Sequence, residues 1–236
     1  MSNTVEGERL APFVEMAEAI ANLSYQGVYI VDVATNKFIY VSEYPLLRCG
    51  YSLEEIQSKG FDFLYELIPD SERNLITNAG QSLVYSFREI PLEYKRKLFI
   101  HLNFHISSGN GFVMVCHKLQ MVDLDHLGRP RLLLGVVSPS VYADKPNVIA
   151  YIRDTDYTYR YFSDVSGWES VNVVHLSEEE LTMLRLSMQG YSMDEIGDLM
   201  FKSPETIKFY RRQVFLKLNV KNITEAIGYA IQHCLL

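Results

Sequence analysis

Long apolar runs are missing from this chain, and none approaches the ~18 residues a membrane-spanning helix needs. Cysteine is scarce: Cys49, Cys116 and Cys234 are the only three in 236 residues. An odd, scattered set argues against a disulfide framework and for a reducing compartment, and none sits at zinc-ligand spacing. Also lacking are a nucleophile elbow, a phosphate loop, a zinc-protease motif and a dinucleotide glycine fingerprint. The one glycine-rich stretch, Ser108-Gly109-Asn110-Gly111, joins two apolar segments and reads as a hairpin turn. No acid and base pair off, so enzyme activity is not expected. There is no internal repeat and no low-complexity tract. The first twenty residues are acidic with a helical apolar spacing (Phe13, Met16, Ala17, Ile20), which is not a signal peptide. A cytoplasmic protein without a membrane partner is the expectation.

What is present suffices for two small cores: 236 residues, 48% hydrophobic and 22% charged. The pattern breaks at Ala143-Asp144-Lys145-Pro146-Asn147 and again at Ser166-Gly167-Trp168. Between the breaks, 148–153 and 158–162 read as strands around the turn Asp154-Thr155-Asp156. The expected organisation is an N-terminal helix over 1–22, a domain over 23–140, a connecting β-hairpin over 141–174 and a last domain over 175–236.

The last domain reads as four short helices, each with its own start signal. Ser177 with Glu180, and Ser192 with Glu195, form capping boxes. Leu181, Leu184, Leu186 and Met188 follow the first box at roughly helical spacing, and Gly190 suits a left-handed cap. Ser203-Pro204 opens the third helix with an N-cap and a proline whose missing N–H costs nothing there. Asn222 and Glu225 open the fourth. In the third helix Ile207, Val214 and Leu218, with Tyr210 beside them, fall on an inward stripe, and Lys208, Arg211, Arg212 and Phe215 on another. From 202 to 221 there are six Lys or Arg against one acid, Glu205, in a chain of net charge −7. Positive charge concentrated against the global sign is the footprint of phosphate contact.

These residues resemble the LuxR-type (GerE) helix-turn-helix domain over almost all of 176–233. The matching phrases are Leu176-Ser177-Glu178-Glu179-Glu180, Gly190-Tyr191-Ser192-Met193-Asp194-Glu195-Ile196, Ser203-Pro204-Glu205-Thr206-Ile207-Lys208 and Lys217-Leu218-Asn219-Val220. The resemblance implies a third helix lying in the DNA major groove. Lys208, Phe209 and Arg212 would then face base edges, with Thr206, Lys217 and Arg211 on phosphates. The fourth helix would supply the dimer contact, through Ile227, Tyr229 and Ala230. Departures exist. Phe209-Tyr210 replaces a small polar residue and a His, so Phe209 either touches a thymine methyl or packs. Asn219 stands for the usual Gly, and Gly197 replaces an Ala at a cost of up to ~1 kcal/mol.

Upstream, 27–33 and 37–41 read as a hairpin around Ala34-Thr35-Asn36. Short helical pieces follow, one opened by Ser52 and Glu55, and a longer one capped near Asp70 or Ser71. Three strong strands, 98–107, 112–122 and 132–138, have connections too short for parallel crossovers and must form an antiparallel meander. His101, Asn103 and His105 share one face of the first of these. With ligands from a single strand, a solvent-facing polar stripe is expected there rather than a metal site.

This order, with Gly27-Val28-Tyr29-Ile30-Val31-Asp32, Gly50-Tyr51-Ser52-Leu53-Glu54-Glu55-Ile56 and 128–137, resembles a PAS domain over roughly 20–140. The fold expected is therefore α+β: a PAS-like antiparallel five-stranded sheet with short helices, then an all-α four-helix domain. The resemblance implies sensing or dimerisation, with Phe61, Phe63, Leu64 and Leu67 as the residues that would line a ligand pocket or simply form core. The cofactor stays unknown. Haem-binding relatives place their His on a helix, and 43–84 contains none. The flavin photosensor motif needs an Asn-Cys-Arg setting that Cys49 lacks. Expected partners are double-stranded promoter DNA, a second copy of the chain, and an unidentified small molecule or protein at the front domain. The alternative is a protein-interaction module whose degenerate helix-turn-helix no longer binds DNA.

Overall fold

The computed structural model describes residues 2–109, 111–140, 145–233 and 235–236. Asn110 of the expected turn, Ala143 and Asp144 of the expected break, and Cys234 lie outside the described residues. The chain divides into two compact units, Met1–Val171 and Asn172–Leu236.

The first unit opens with helix α1 (Ser2–Ser24) and the hairpin of β1 (Gly27–Asp32) and β2 (Lys37–Val41). Asp32 shapes the hairpin turn: its Oδ1 accepts from the N–H groups of Ala34 and Thr35 at 2.8 and 3.0 Å. The helical stretch comprises α2 (Pro45–Arg48), α3 (Leu53–Lys59), a 3-10 turn (Gly60–Asp62), α4 (Phe63–Glu66), α5 (Asp70–Ser86) and α6 (Leu92–Lys95). Ser52 and Glu55 make the capping box of α3. Helix α5 starts otherwise than its sequence suggests. Pro69 occupies the N-cap, and Asp70 sits in the first turn, paired with Arg73 at 2.6 Å.

Strands β3 (Leu98–Ser108), β4 (Gly111–Leu124) and β5 (Pro130–Pro139) form the antiparallel meander. They are followed by β6 (Asn147–Ile152), β7 (Thr158–Phe162) and β8 (Gly167–Ser170). The first five strands lie in the order β2-β1-β5-β4-β3. The sheet does not stop at five. Among the described residues it has eight strands, because β6 pairs antiparallel with the free edge of β3, and β7 and β8 continue outward. The segment expected as a connecting hairpin thus covers an edge that would otherwise present unpaired backbone groups. Strand β8 includes the Gly167-Trp168 that reads as a break in the sequence. Ser166, at φ 49°, makes the turn that lets the chain fold back onto β7.

The helices cover one sheet face. Tyr29, Val31, Ile100, Leu102, Phe104, Val115 and Val137 pack there with Phe63, Leu67 and Ile76. A Cβ at Gly135 would stand 2.1 Å from Tyr29 Cζ, so only glycine leaves room for that ring. The Tyr29 hydroxyl reaches His117 Nε2 at 2.6 Å, deep in the core. Burial pushes the His117 imidazole down to about 3 and raises the Tyr29 phenol well above its ordinary range. On the opposite face α1 lays Phe13, Ala17 and Ile20 against Val28, Ile30, Leu132 and Leu134.

The polar stripe of β3 is not solvent-facing. His101 and Asn103 are buried, and His105 is mostly covered. β6 supplies what the sequence reading lacked: Tyr151 Oη lies 2.9 Å from His101 Nε2, and Asn147 Oδ1 accepts from Asn103 at 3.1 Å. Beyond the end of β6, Glu72 of α5 accepts the His105 backbone N–H at 2.8 Å and meets its Nδ1 at 2.6 Å. Among the described residues no group of three His, Cys, Asp or Glu is placed to hold a metal ion. Nor is any helix there long and apolar enough to cross a membrane.

The second unit comprises α7 (Glu178–Met188), α8 (Met193–Met200), α9 (Pro204–Leu218) and α10 (Ile223–Gln232). Every one of these starts on a side-chain cap: Ser177, Ser192, Ser203 and Asn222 each accept the N–H three residues on. The core is Met183, Leu184, Ile196, Ile207, Val214, Leu218, Ala226 and Ala230. Met188 of the expected stripe is exposed, and Met183 takes the buried place.

Candidate nucleic-acid interface

Helix α9 is aimed by the residues just before it. Phe201 ends α8 in the left-handed region, at φ 54°, which turns the chain sharply into Ser203-Pro204. A Cβ at Gly197 would meet the Lys202 carbonyl oxygen at 2.9 Å. Glycine in α8 therefore buys a close approach of that turn, which is a physical reason for this departure from the family's alanine. At the far end Asn219 closes α9 at φ 54°, as glycine would.

The inward stripe of α9 is buried, with Ile207 and Val214 fully covered, and this fixes which residues look outward. Lys208, Phe209 and Arg212 are exposed, and Arg211 and Thr206 are half-buried. Both guanidinium groups lie against aromatic rings of the same helix. Arg212 is 5.8 Å from the Phe209 ring centre, and Arg211 is 5.2 Å from that of Phe215. Phe209 thus packs partly on Arg212 while staying 46% exposed. Lys208 Nζ meets Glu205 at 2.7 Å, and this carboxylate holds the ammonium above its ordinary range. Thr206 Oγ1 lies 2.9 Å from Ser203 Oγ, inside the cap.

Lys217 is differently placed. Its Nζ donates to Glu180 Oε2 at 2.7 Å, and the Glu180 side chain is only 5% exposed. The same oxygen accepts the Ser177 N–H at 2.8 Å. One buried carboxylate therefore both closes the cap of α7 and clamps the end of α9. The capping spacing shows only the first role. The second links positions 37 residues apart and has no local signal.

Residues 174–230 match the sequence model of the family described as "Bacterial regulatory proteins, luxR family". The tail is a LuxR-type domain. The chain is 34% identical over 80 residues to the transcription regulator BvgA of Bordetella pertussis, covering 34% of this chain and 38% of BvgA. It is 26% identical over 198 residues to the HTH-type transcriptional regulator MalT of Vibrio cholerae, covering 79% of this chain and 21% of MalT. The chain thus spans less than two fifths of the length of these relatives. A solved structure of the phage VqmA–DPO complex superposes at a TM-score of 0.36 with 15% identity, covering 94% of this chain and 89% of that one.

The remaining sequence-derived positions fall as follows. In α10 of the LuxR-type domain Ile227 and Tyr229 are half-buried, with Tyr229 stacked 4.2 Å from His233. Ala230 is fully covered by the domain's own core and has no surface to offer. Ile231, not among the expected dimer-contact residues, is 55% exposed. In the first unit Phe63, Leu64 and Leu67 are core residues. Phe61 is partly buried, with its ring 5.8 Å from Tyr29 and 5.9 Å from Tyr65.

Proposed function

We propose that this chain is a sequence-specific DNA-binding transcriptional regulator that works as a homodimer. Its PAS-like domain senses or dimerises, and its LuxR-type domain lays α9 in the major groove. The observation that carries this reading is the outward face of α9: Lys208, Phe209 and Arg212 exposed together, in a chain of net charge −7. Arg212 and Lys208 reach base edges, where guanine O6 and N7 suit them, and Phe209 meets a thymine methyl. Thr206, Arg211 and Lys217 hold phosphates. Lys217 does so with one of its N–H groups already given to Glu180, which fixes the ammonium at the helix end. A second copy docks along α10 through Ile227 and Tyr229, extended by Ile231. A ligand of the front domain would enter beside Phe61, the least buried of its four candidate pocket residues.

The reading is tested with Arg212→Ala on a selected site and on random duplex of equal length. A base contact costs roughly 1–3 kcal/mol on the selected site and much less on random DNA. An equal loss on both makes Arg212 a phosphate contact. No loss on either removes α9 from the interface.

A further inference from the structure

The three added strands do more than cover an edge. Together with the end of α5, the loop after it and α6, they line an open-mouthed cavity of about 450 Å³, within the size range of small-molecule sites. Its lining includes none of Phe61, Phe63, Leu64 and Leu67. Tyr94, Tyr157, Tyr159 and Trp168 line it beside aliphatic residues such as Ile90 and Ile152, with the Tyr94 and Tyr157 rings edge-to-face at 6.4 Å. Glu89 is the single charged residue of the lining, and it is exposed at the rim. Three nearby cations are committed elsewhere. Lys95 lies over the Phe87 ring and donates to the Gly128 carbonyl at 3.1 Å, Lys97 pairs with Asp154 at 3.3 Å, and Arg153 covers the Phe99 ring at 4.3 Å.

Ring faces carry negative potential and attract cations, most strongly where water is excluded, and a carboxylate at the mouth adds to the same sign. We propose that this cavity binds a small organic ammonium ion, with its methylated or apolar head among the four rings and Glu89 as its counter-charge. The site is independent of DNA binding and belongs wholly to the first unit. A neutral apolar ligand would have no use for Glu89. An anion would meet it and find no free cation in the lining.

Trp168 is the only tryptophan of the chain, so its emission reports on the site directly. The full-length protein is titrated with choline, tetramethylammonium and benzyltrimethylammonium, and with 3,3-dimethylbutan-1-ol, the neutral counterpart of choline. The expected result is a saturable change with at least one cation, and about tenfold weaker binding of the neutral alcohol than of choline. Glu89→Gln weakens the cation response while leaving the melting temperature unchanged, since Glu89 is exposed, and Tyr157→Ala weakens it with a small fall in melting temperature from the lost ring contact with Tyr94. Equal response to choline and the alcohol, a cation response undiminished in both variants, or no saturable response to any of the three cations overturns the proposal.

Discussion

Phe201 is the residue whose conformation the helix-turn-helix most visibly strains. It holds φ 54° with its side chain 94% exposed, so the ring contributes almost no packing against the left-handed backbone. Phe201→Gly should raise stability by up to about 1 kcal/mol, because an L-residue there costs 1–2 kcal/mol while glycine gives part of this back as unfolded-chain entropy. A denaturant midpoint that falls in Phe201→Gly would mean the ring is held by contacts. His117 belongs to the same scale. Its imidazole titrates at about 3 in the fold against an ordinary 6.5, so the neutral form is the native one. Between pH 6.5 and 3 the unfolded chain binds a proton that the folded chain refuses. The stability tied to neutral His117 is complete above pH 6.5 and shrinks as pH falls, by about 1.4 kcal/mol per unit. Thermal melts across this range should show that slope in the wild type and a shallower one in His117→Gln, which keeps a polar partner for Tyr29. Parallel slopes would remove His117 as the cause.

At the scale of elements, α9 depends on α7 through one oxygen. Glu180 Oε2 serves both the Ser177 N–H and Lys217 Nζ. Glu180→Ala should cost about 1–2 kcal/mol, from a lost cap and a lost charge-assisted bond. Lys217→Met should cost less, since Lys217 is 38% exposed and its ion pair is partly screened. Comparable losses in the two variants would make the pair rather than the cap the larger contribution. This contact also marks the border of what the sequence could tell. Start signals are local, three residues apart, and Ser52, Ser177, Ser192, Ser203 and Asn222 all announce their helices. The outward set on α9 was legible for the same reason, because helical spacing separates it from Ile207, Val214 and Leu218. What depends on distant pairing was not. The burial of His101 and Asn103 follows from β6 lying beside β3, and no spacing within 98–107 encodes a neighbour drawn from 147–152. Strand β8 was hidden because its Gly167 and the left-handed Ser166 carry turn chemistry while its pairing comes from β7.

For the whole molecule, the extent of the first unit decides where it can be cut. A fragment ending at Val171 keeps β6–β8 on the β3 edge and should be folded and soluble. One ending at Ser140 strips three strands, bares that edge and uncovers His101, and should aggregate. Size-exclusion chromatography of the two fragments checks this, and a well-behaved 1–140 fragment would show the added strands to be dispensable. The central claim concerns the intact chain and DNA. The most direct measurement selects binding sites from a genomic or random duplex pool with the full-length protein, then titrates the selected site at several salt concentrations. The account predicts a two-fold symmetric motif whose affinity falls linearly in log–log form, with a slope of about −0.9 per phosphate contacted. No enriched motif, with only weak binding at low salt, would contradict it.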